Sequence, residues 1–348
     1  MPAHSAPSAL PLPPATTPVH EPRRQDCPWC GSTRLRTRLR TGDLRQYKPG
    51  SFTVDACRDC GHTFQNPRLT VEGLALYHRT VRGAPRDPAS DGLLALRASP
   101  RRHRSAARAM LRLGEPESWL DVGTGHARFP ATARRFFPYT AFDGLDPTPR
   151  VVRARSADRV EEAHVGRLTD PRIAAPLRAR YDVVSMLHHL EGTPDPRAEL
   201  RAALSVLRPG GHLLLETLDP RSLFAALLGR WWLAHDQPRH LHLLPPANLR
   251  AELEAAGCTI LTLDHRPVHV PHDLAGALSL ALSHALPAPD TPWRAIPPPP
   301  ARRHARTALL RAGVPLVAVA AVADQLLAPL ARRTRLANTY RVIARKAP

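Results

Sequence analysis

From residue 118 onward the chain alternates between two hydrophobic periods. Ser118 to Val122 and Tyr181 to Leu187 are short apolar runs that predict buried strands. Tyr139 to Leu145, Ala163 to Gly166, His212 to Thr217, Cys258 to Asp264 and Asn338 to Lys346 read as further strands. Between them His126 to Phe137, Pro149 to Asp158, Pro196 to Leu207 and Ala247 to Ala256 carry apolar residues at helical spacing, the last stopped by Gly257. Strands alternating with helices predict an α/β fold: a doubly wound, mostly parallel sheet. Ligands on such sheets bind at the carboxyl ends of the strands, near the switch point. That places Gly123, Asp146 and the segment after Leu187 around one crevice.

The flanking regions have other patterns. Residues 1–25 are rich in Pro and Ala with few large apolar side chains, which predicts a disordered leader. It lacks the basic start and apolar core of a signal peptide, so the expected setting is the reducing cytoplasm. Residues 267–335 separate the sixth strand from the last and hold apolar helical stretches around a proline-rich segment. The stretch from Gly313 to Ala323 is apolar and then meets Asp324, well short of the roughly 20 residues that cross a bilayer. The insertion therefore reads as a helical lid. The alternative is an interfacial hairpin between Arg302-Arg303 and Arg332-Arg333 on an anionic membrane, a peripheral contact that would suit a lipid-linked acceptor.

The formal net charge of +19 raises the question of nucleic acid. The charge is spread along the chain and no stacking aromatics lie among the arginines, so nucleic-acid binding is the minor reading. Its best support is Arg34, Arg36, Arg38 and Arg40 in RLRTRLR, which as a strand would share one face and touch phosphates.

Four of the five cysteines form two knuckles, Cys27-Pro-Trp-Cys30 and Cys57-Arg-Asp-Cys60. Two knuckles supply a closed, tetrahedral four-thiolate site, the geometry of structural Zn2+. The residues between them can hold a hairpin, and Gly31 and Gly61 follow each second cysteine. Cys258 stands apart and reads as a small buried apolar residue.

The stretch WLDVGTGHARF, 119–129, runs from a strand through a glycine turn into a helix. A dinucleotide fingerprint needs a third glycine, and Arg128 stands there; a phosphate-binding loop needs Gly-Lys-Ser/Thr, which is absent. Asp121 precedes the first glycine and would repel a pyrophosphate but suit a cationic group. Asp146, 23 residues after Gly123, can accept hydrogen bonds from two ribose hydroxyls. A ligand with a ribose, a cationic amino-acid tail and no phosphate is S-adenosylmethionine.

WLDVGTGHARF, GLDPT, YDVVSMLHHLE and LRPGGHLLLET, in that order and spacing, resemble the class I S-adenosylmethionine-dependent methyltransferases. The resemblance covers residues 118–265 and the final strand. Ala127 takes the position of the family's third glycine. Cys60-Gly61-His62-Thr63-Phe64-Gln65-Asn66-Pro67 is similar to the end of the zinc module carried by a branch related to ubiquinone-type and sugar C-methyltransferases. The resemblance implies a seven-stranded Rossmann-like core at 118–266 and 336–348. A zinc ribbon at 26–68, a helical linker at 69–117 and the insertion complete the chain. It implies that Asp121, Gly123 and Gly125 line the methionine end of the cofactor, that Asp146 holds the ribose, and that Asp170 is the candidate for the adenine amine. Leu187 and His188 would open the loop beside the transferred methyl group.

Methyl transfer to a hydroxyl or acidic C–H calls for a base, and histidine is the natural candidate. His188 and His189 lie after the fourth strand with Glu191 close by, and His240 lies in PRHL, where relatives carry His-Glu-His-Leu. His240 is the favoured base, and Arg239 in place of the glutamate departs from the C-methylating pattern. Trp231-Trp232 reads equally as an acceptor wall or as core. The expected activity is methyl transfer to a small molecule: a sugar, glycolipid, quinone-like compound or natural product. The alternatives are an RNA methyltransferase docked through the basic zinc module, and a non-catalytic binding protein. Neither the acceptor nor the oligomeric state is written in these residues.

Overall fold

The computed structural model describes residues 19–78, 100–266, 268–291, 293–294 and 296–348. The hairpin β1 (Leu35–Thr41) and β2 (Phe52–Cys57) is followed by β3 (Thr63–Gln65) and helix α1 (Val71–His78). Helix α2 (Pro100–Met110) leads into β4 (Ser118–Val122), α3 (Arg128–Ala133), β5 (Ala141–Asp146), α4 (Arg150–Ser156) and β6 (Ala163–Val165). Then come α5 (Pro171–Ala174), β7 (Tyr181–Leu187), α6 (Pro196–Val206), β8 (Leu207–Leu218) and α7 (Leu223–Leu227). The remainder is β9 (His242–Leu243), α8 (Pro246–Ala255), β10 (Cys258–Asp264), α9 (Asp273–Ala285), α10 (Pro300–Ala331) and β11 (Thr339–Lys346).

The large sheet has seven strands in the order β10-β11-β8-β7-β4-β5-β6. β4 to β8 pair in parallel, while β11 runs antiparallel between β8 and β10. The chain winds outward from β4 to β6, then returns to β7 on the other side. The switch point thus falls between the carboxyl ends of β4 and β7. Alternation within the strands feeds two cores: Leu120, Val122, Val184 and Met186 on one face, Trp119, Phe142, Val183 and Leu214 on the other. Burial on both faces is why these strands read as predominantly apolar runs.

Several expectations change. The helix after β4 is only Arg128–Ala133, because Ala127 at its start is in the left-handed conformation (φ 50) and delays it. The Pro209-Gly210-Gly211 turn lies within β8 as an irregularity, where the register jumps between Tyr181↔Leu207 and Val183↔His212. The four arginines of RLRTRLR do not share a face. A bulge between Thr37 and Leu39 breaks the alternation, so Arg38 is drawn inward while Arg36 and Arg40 stay exposed. Burial pulls the Arg38 guanidinium down, and the nearby Asp219 partly restores it. Most of the expected leader, residues 1–18, lies outside the described residues, as does 79–99 of the linker. His20 bridges to Leu69, and Arg23 pairs with the buried Asp55 at 2.7 Å, so the end of the leader is part of the fold.

The insertion differs most. Asp324 does not break its apolar stretch. α10 is a continuous helix of 32 residues, long and apolar enough by length and composition to cross a membrane. Asp324 is tolerated because its carboxylate is buried and accepts the backbone N–H groups of Leu274 and Ala275, at 3.0 and 2.9 Å. It thereby caps the first turn of α9, where orphan amides and the helix dipole favour an anion.

The cysteine module is not a separate arm. β9, which comes from the large domain, completes its sheet in the order β1-β2-β3-β9. Arg239 makes two bonds to Asp43, at 3.0 and 2.7 Å, with both side chains buried. The arginine that replaces the expected glutamate is thus one half of the ion pair locking the module to the core. Arg45 pairs with Asp236, and the Gln65 amide donates to Gln237 at 2.7 Å.

Candidate active site

β4 ends at Val122, and the glycine turn reverses over the neighbouring strand. The N–H groups of Gly123 and Thr124 both donate to the Leu145 carbonyl, at 2.8 and 3.1 Å. Gly123 (φ 74) and Gly125 (φ 55) adopt conformations that side chains disfavour. Gly123 also has no room: a Cβ there would lie 2.5 Å from His189 Nδ1. At Gly125 the nearest atom to such a Cβ is Asp146 Oδ2 at 3.9 Å, so that side of the loop faces open space. Ala127 occupies its glycine-like position fully buried, at a strain of about 1–2 kcal/mol.

Asp146 closes the other side of this crevice. Its Oδ2 accepts the Gly125 N–H at 2.9 Å, and its Oδ1 accepts the Thr148 N–H and hydroxyl, at 2.8 and 2.5 Å. A carboxylate has about four acceptor positions, so one on Oδ2 remains beside the open face of Gly125. Loop, open face and acceptor fit the ribose of S-adenosylmethionine.

Asp121 lies deeper than its sequence position suggests. It is buried, and its Oδ1 accepts the Ser185 hydroxyl at 2.6 Å, which in turn accepts the Trp119 indole N–H at 2.9 Å. Burial pushes its pKa up to about 6 against the opposing hydrogen bonds of Ser185 and Thr124. It sits beneath the glycine loop, held by the Ser185 hydroxyl. Asp170 is likewise committed elsewhere. It caps α5 through the Arg172 N–H at 3.0 Å and pairs with the Arg172 side chain at 2.7 Å. Its place is a helix cap at the surface.

The loop after β7 carries two of the candidate histidines, His188 and His189. Leu187 ends the strand, half-buried against the Trp119 core. His188 has φ 56, a strained conformation for a non-glycine residue and one that recurs at functional sites. Its Nδ1 lies 3.0 Å from Oε1 of the fully buried Glu191. A carboxylate only accepts, so Nδ1 carries the proton and donates, leaving Nε2 as the acceptor for the Arg102 guanidinium. Burial pushes the Glu191 carboxyl up, but the His188 bond and charge outweigh it and bring it to about 2. The Leu218 N–H also donates to Glu191 Oε1, at 3.1 Å.

Behind His188 stands a charged lattice that sequence reasoning missed. Arg341 donates twice to Glu216 Oε1, at 2.8 and 2.5 Å, and Arg102 meets Glu216 Oε2 at 3.2 Å. The available signal was Arg341 itself, a charge in the middle of the otherwise apolar YRVIA, which a buried strand tolerates only with a partner.

The three candidate histidines separate. His189 is turned to Glu199, at 2.9 Å, and packs on Gly123; it braces the loop. His240 Nδ1 donates to the Ala234 carbonyl at 2.7 Å, and its charge is felt at Glu191. His188 alone combines a buried carboxylate partner with a place in the pocket wall. That pocket, lined by Arg102, His188, Leu218, Leu233, Val270 and Asn338 among others, encloses about 10 Å3, room for one water. Val270, His272 and Asp273, where the insertion begins, form its outer wall. Trp232 is core: it is buried and its indole N–H donates to Asp273 at 2.7 Å. A larger cavity of about 220 Å3 lies at the amino ends of β4 and β7, against Trp119, Asp182 and Gly211. That end of an α/β sheet is opposite the ligand-binding side.

The four cysteines converge as their spacing predicts. All four sulfurs lie within 4.8 Å of one another, with Cys27–Cys60 at 3.7 Å and Cys30–Cys57 at 3.6 Å. Metal–sulfur bonds of about 2.3 Å in a tetrahedron place sulfurs roughly 3.8 Å apart, so the cage fits such an ion. His62 Nδ1 lies 3.6 Å from Cys27 Sγ, and its Nε2 is 3.1 Å from His242 on β9. Cys258 is buried and apart, as expected.

The strand order, with one antiparallel strand next to the edge, and the glycine loop facing an acid at the end of β5 define the class I methyltransferase fold. Residues 97–263 match the methyltransferase-domain family, and this segment is a methyltransferase domain. The chain is 30% identical over 148 residues to a ubiquinone biosynthesis O-methyltransferase of Azotobacter vinelandii, a match covering 40% of this chain and 64% of that protein. A protein of the same name from Aeromonas salmonicida is 31% identical over 158 residues, covering 43% and 65%. The chain thus spans less than two thirds of these relatives' length. A solved S-adenosylmethionine-dependent methyltransferase from Archaeoglobus fulgidus superposes with a TM-score of 0.43 at 15% identity, covering 70% of this chain and 94% of that one.

Proposed function

We propose that this protein transfers a methyl group from S-adenosylmethionine to a hydroxyl of a small-molecule acceptor, with His188 as the base. The observation that carries this reading is the crevice at the switch point. The Gly123–Gly125 loop meets Asp146 at the ends of β4 and β5, and the His188–Glu191 pair follows the end of β7, the strand that pairs with β4. S-adenosylmethionine, when bound, would supply a methyl carbon activated by its sulfonium: the acceptor oxygen would bond to that carbon in line as the C–S bond breaks and S-adenosylhomocysteine leaves. Asp146 would hold the ribose, beside the open face that Gly125 leaves. Glu191 keeps the His188 Nδ1 protonated and stabilises the imidazolium formed when Nε2 takes the hydroxyl proton. Arg102 now donates to that Nε2 and yields the position to the acceptor, where its charge meets the developing oxyanion. The named relatives are O-methyltransferases, which supports a hydroxyl acceptor of phenolic type. An RNA acceptor has less support, because Arg38 is drawn inward and Arg34 is paired with Asp59 at 2.7 Å.

The cofactor half is tested by calorimetric titration with S-adenosylmethionine, with NAD as control. Binding of the former alone is expected, and binding of NAD alone refutes the reading. Asp146→Ala removes a charged acceptor and frees the loop, so affinity for S-adenosylmethionine should fall about 10- to 100-fold. Unchanged affinity would place the ribose elsewhere.

The four-thiolate cage is proposed to hold structural Zn2+, since four protein ligands leave no position for a catalytic water. Cys27→Ser should lower bound zinc from about one per chain. Because β9 joins the module to the large domain, the variant should also melt at a lower temperature. Metal analysis of the purified variant checks this, and full zinc occupancy would exclude the assignment.

A further inference from the structure

α10 presents an apolar surface that the methyltransferase fold does not use. Its inner side is held to the protein along its length. Arg306 is buried and donates to the carbonyls of Ser283 and Pro287, at 2.9 and 2.7 Å. Gly313 lets α9 approach so closely that a Cβ would lie 3.2 Å from Leu282. Asp324 caps α9, and Ala328 and Ala331 are buried. The outer side carries Leu309, Val314, Leu316, Val319, Val322, Leu326 and Leu330, with Val319 66% and Leu326 76% exposed. From Ala312 to Ala331 Asp324 is the one charged residue, and its carboxylate faces α9, so the outer side of this span carries no charge. Arginines gather at both ends: Arg302, Arg303 and Arg311 before it, Arg332, Arg333 and Arg335 after it, all exposed. At the far end the exposed Leu223 and Leu227 of α7 adjoin, since the Leu223 N–H donates to the Arg335 carbonyl at 2.8 Å.

We propose that the outer face of α10 docks in the plane of an anionic lipid surface. An uncharged apolar face with cationic ends matches a bilayer boundary, where apolar side chains enter the acyl region and arginines meet lipid phosphates. A helix of 32 residues is about 48 Å long, so the contact is extended. The buried bonds of Arg306 and Asp324 hold the helix flat on α9. A spanning arrangement would have to break both and carry the Asp324 carboxylate into hydrocarbon. The same hairpin begins beside the pocket at Val270, His272 and Asp273, which places the entrance near the lipid. The docking surface does not depend on the catalytic reading.

The test is cosedimentation of the full chain with vesicles of phosphatidylglycerol and phosphatidylcholine, against phosphatidylcholine alone. The wild-type protein should pellet with the anionic vesicles and be released by high salt and alkaline carbonate. Val319→Glu with Leu326→Glu should reduce binding by about tenfold or more, at an unchanged circular-dichroism spectrum, because both sites are exposed. Arg332→Glu with Arg333→Glu should weaken binding about fivefold per charge removed, and only at low salt. Absence of pelleting with either vesicle overturns the proposal. So does a concentration-dependent dimer abolished by Val319→Glu without vesicle binding, which would assign the face to a second copy. Resistance to alkaline extraction would assign it to a spanning helix and overturn in-plane docking.

Discussion

His188→Asn is expected to slow methyl transfer by about 10²- to 10⁴-fold, the usual contribution of a positioned base, while S-adenosylmethionine binds as before. Asparagine suits the test because it tolerates the left-handed backbone that His188 adopts (φ 56), where alanine would add strain. The readout is initial rate on phenolic acceptors, with cofactor affinity measured separately. Glu191→Gln should show a smaller loss in the same direction, since it keeps the shape but removes the charge that stabilises the imidazolium. His240→Asn should have little effect, because its Nδ1 is committed to the Ala234 carbonyl. Full activity in His188→Asn with its loss in His240→Asn would reverse this assignment.

Glu216→Ala is expected to destabilise the fold by about 3–5 kcal/mol, the cost of leaving a buried charge without its partner. Two guanidiniums, Arg341 and Arg102, converge on this carboxylate, and Glu216 and Arg341 are each only 2% exposed. Burial pushes the Glu216 carboxyl up, but the charges of Arg341 and Arg102 outweigh it and hold it below 4.5. Its contribution is therefore present above the unfolded-state value and lost as pH falls through the lowered folded-state value. Denaturant unfolding followed against pH should show a shallower acid limb in the variant. Adding Arg341→Met should recover part of the loss, because the uncompensated cation goes with its partner. A change within about 0.5 kcal/mol, as at an ordinary surface site, would mean that the lattice contributes nothing.

Much of this molecule was legible in the chain. The strands Ser118–Val122 and Tyr181–Leu187 match their expected bounds residue for residue, because a strand buried on both faces is dominated by apolar side chains. The two knuckles announced the cage, since their spacing alone brings four sulfurs within reach of one ion. The glycine turn and Asp146 were likewise local: each sits at the end of its own strand, and neighbouring strands necessarily bring those ends together.

What the tertiary structure decided were the pairings between distant segments. Periodicity ranks residues by polarity but does not say which charge meets which. The chain offered His188, His189 and His240 as imidazoles, with His240 favoured. Only packing gave His188 the buried Glu191, turned His189 to Glu199, and tied His240 to a carbonyl. Asp121 and Asp170 stood at motif positions, and packing gave one a buried bond from Ser185 and the other the backbone amide of Arg172. Asp324 looked like the end of an apolar segment because a lone carboxylate opposes burial. It stands within a continuous helix because the amides of α9, about 50 positions earlier in the chain, satisfy it. The sequence determined the strands, the cage and the cofactor crevice through local periodicity and spacing; long-range partners determined which acids and imidazoles are available for chemistry.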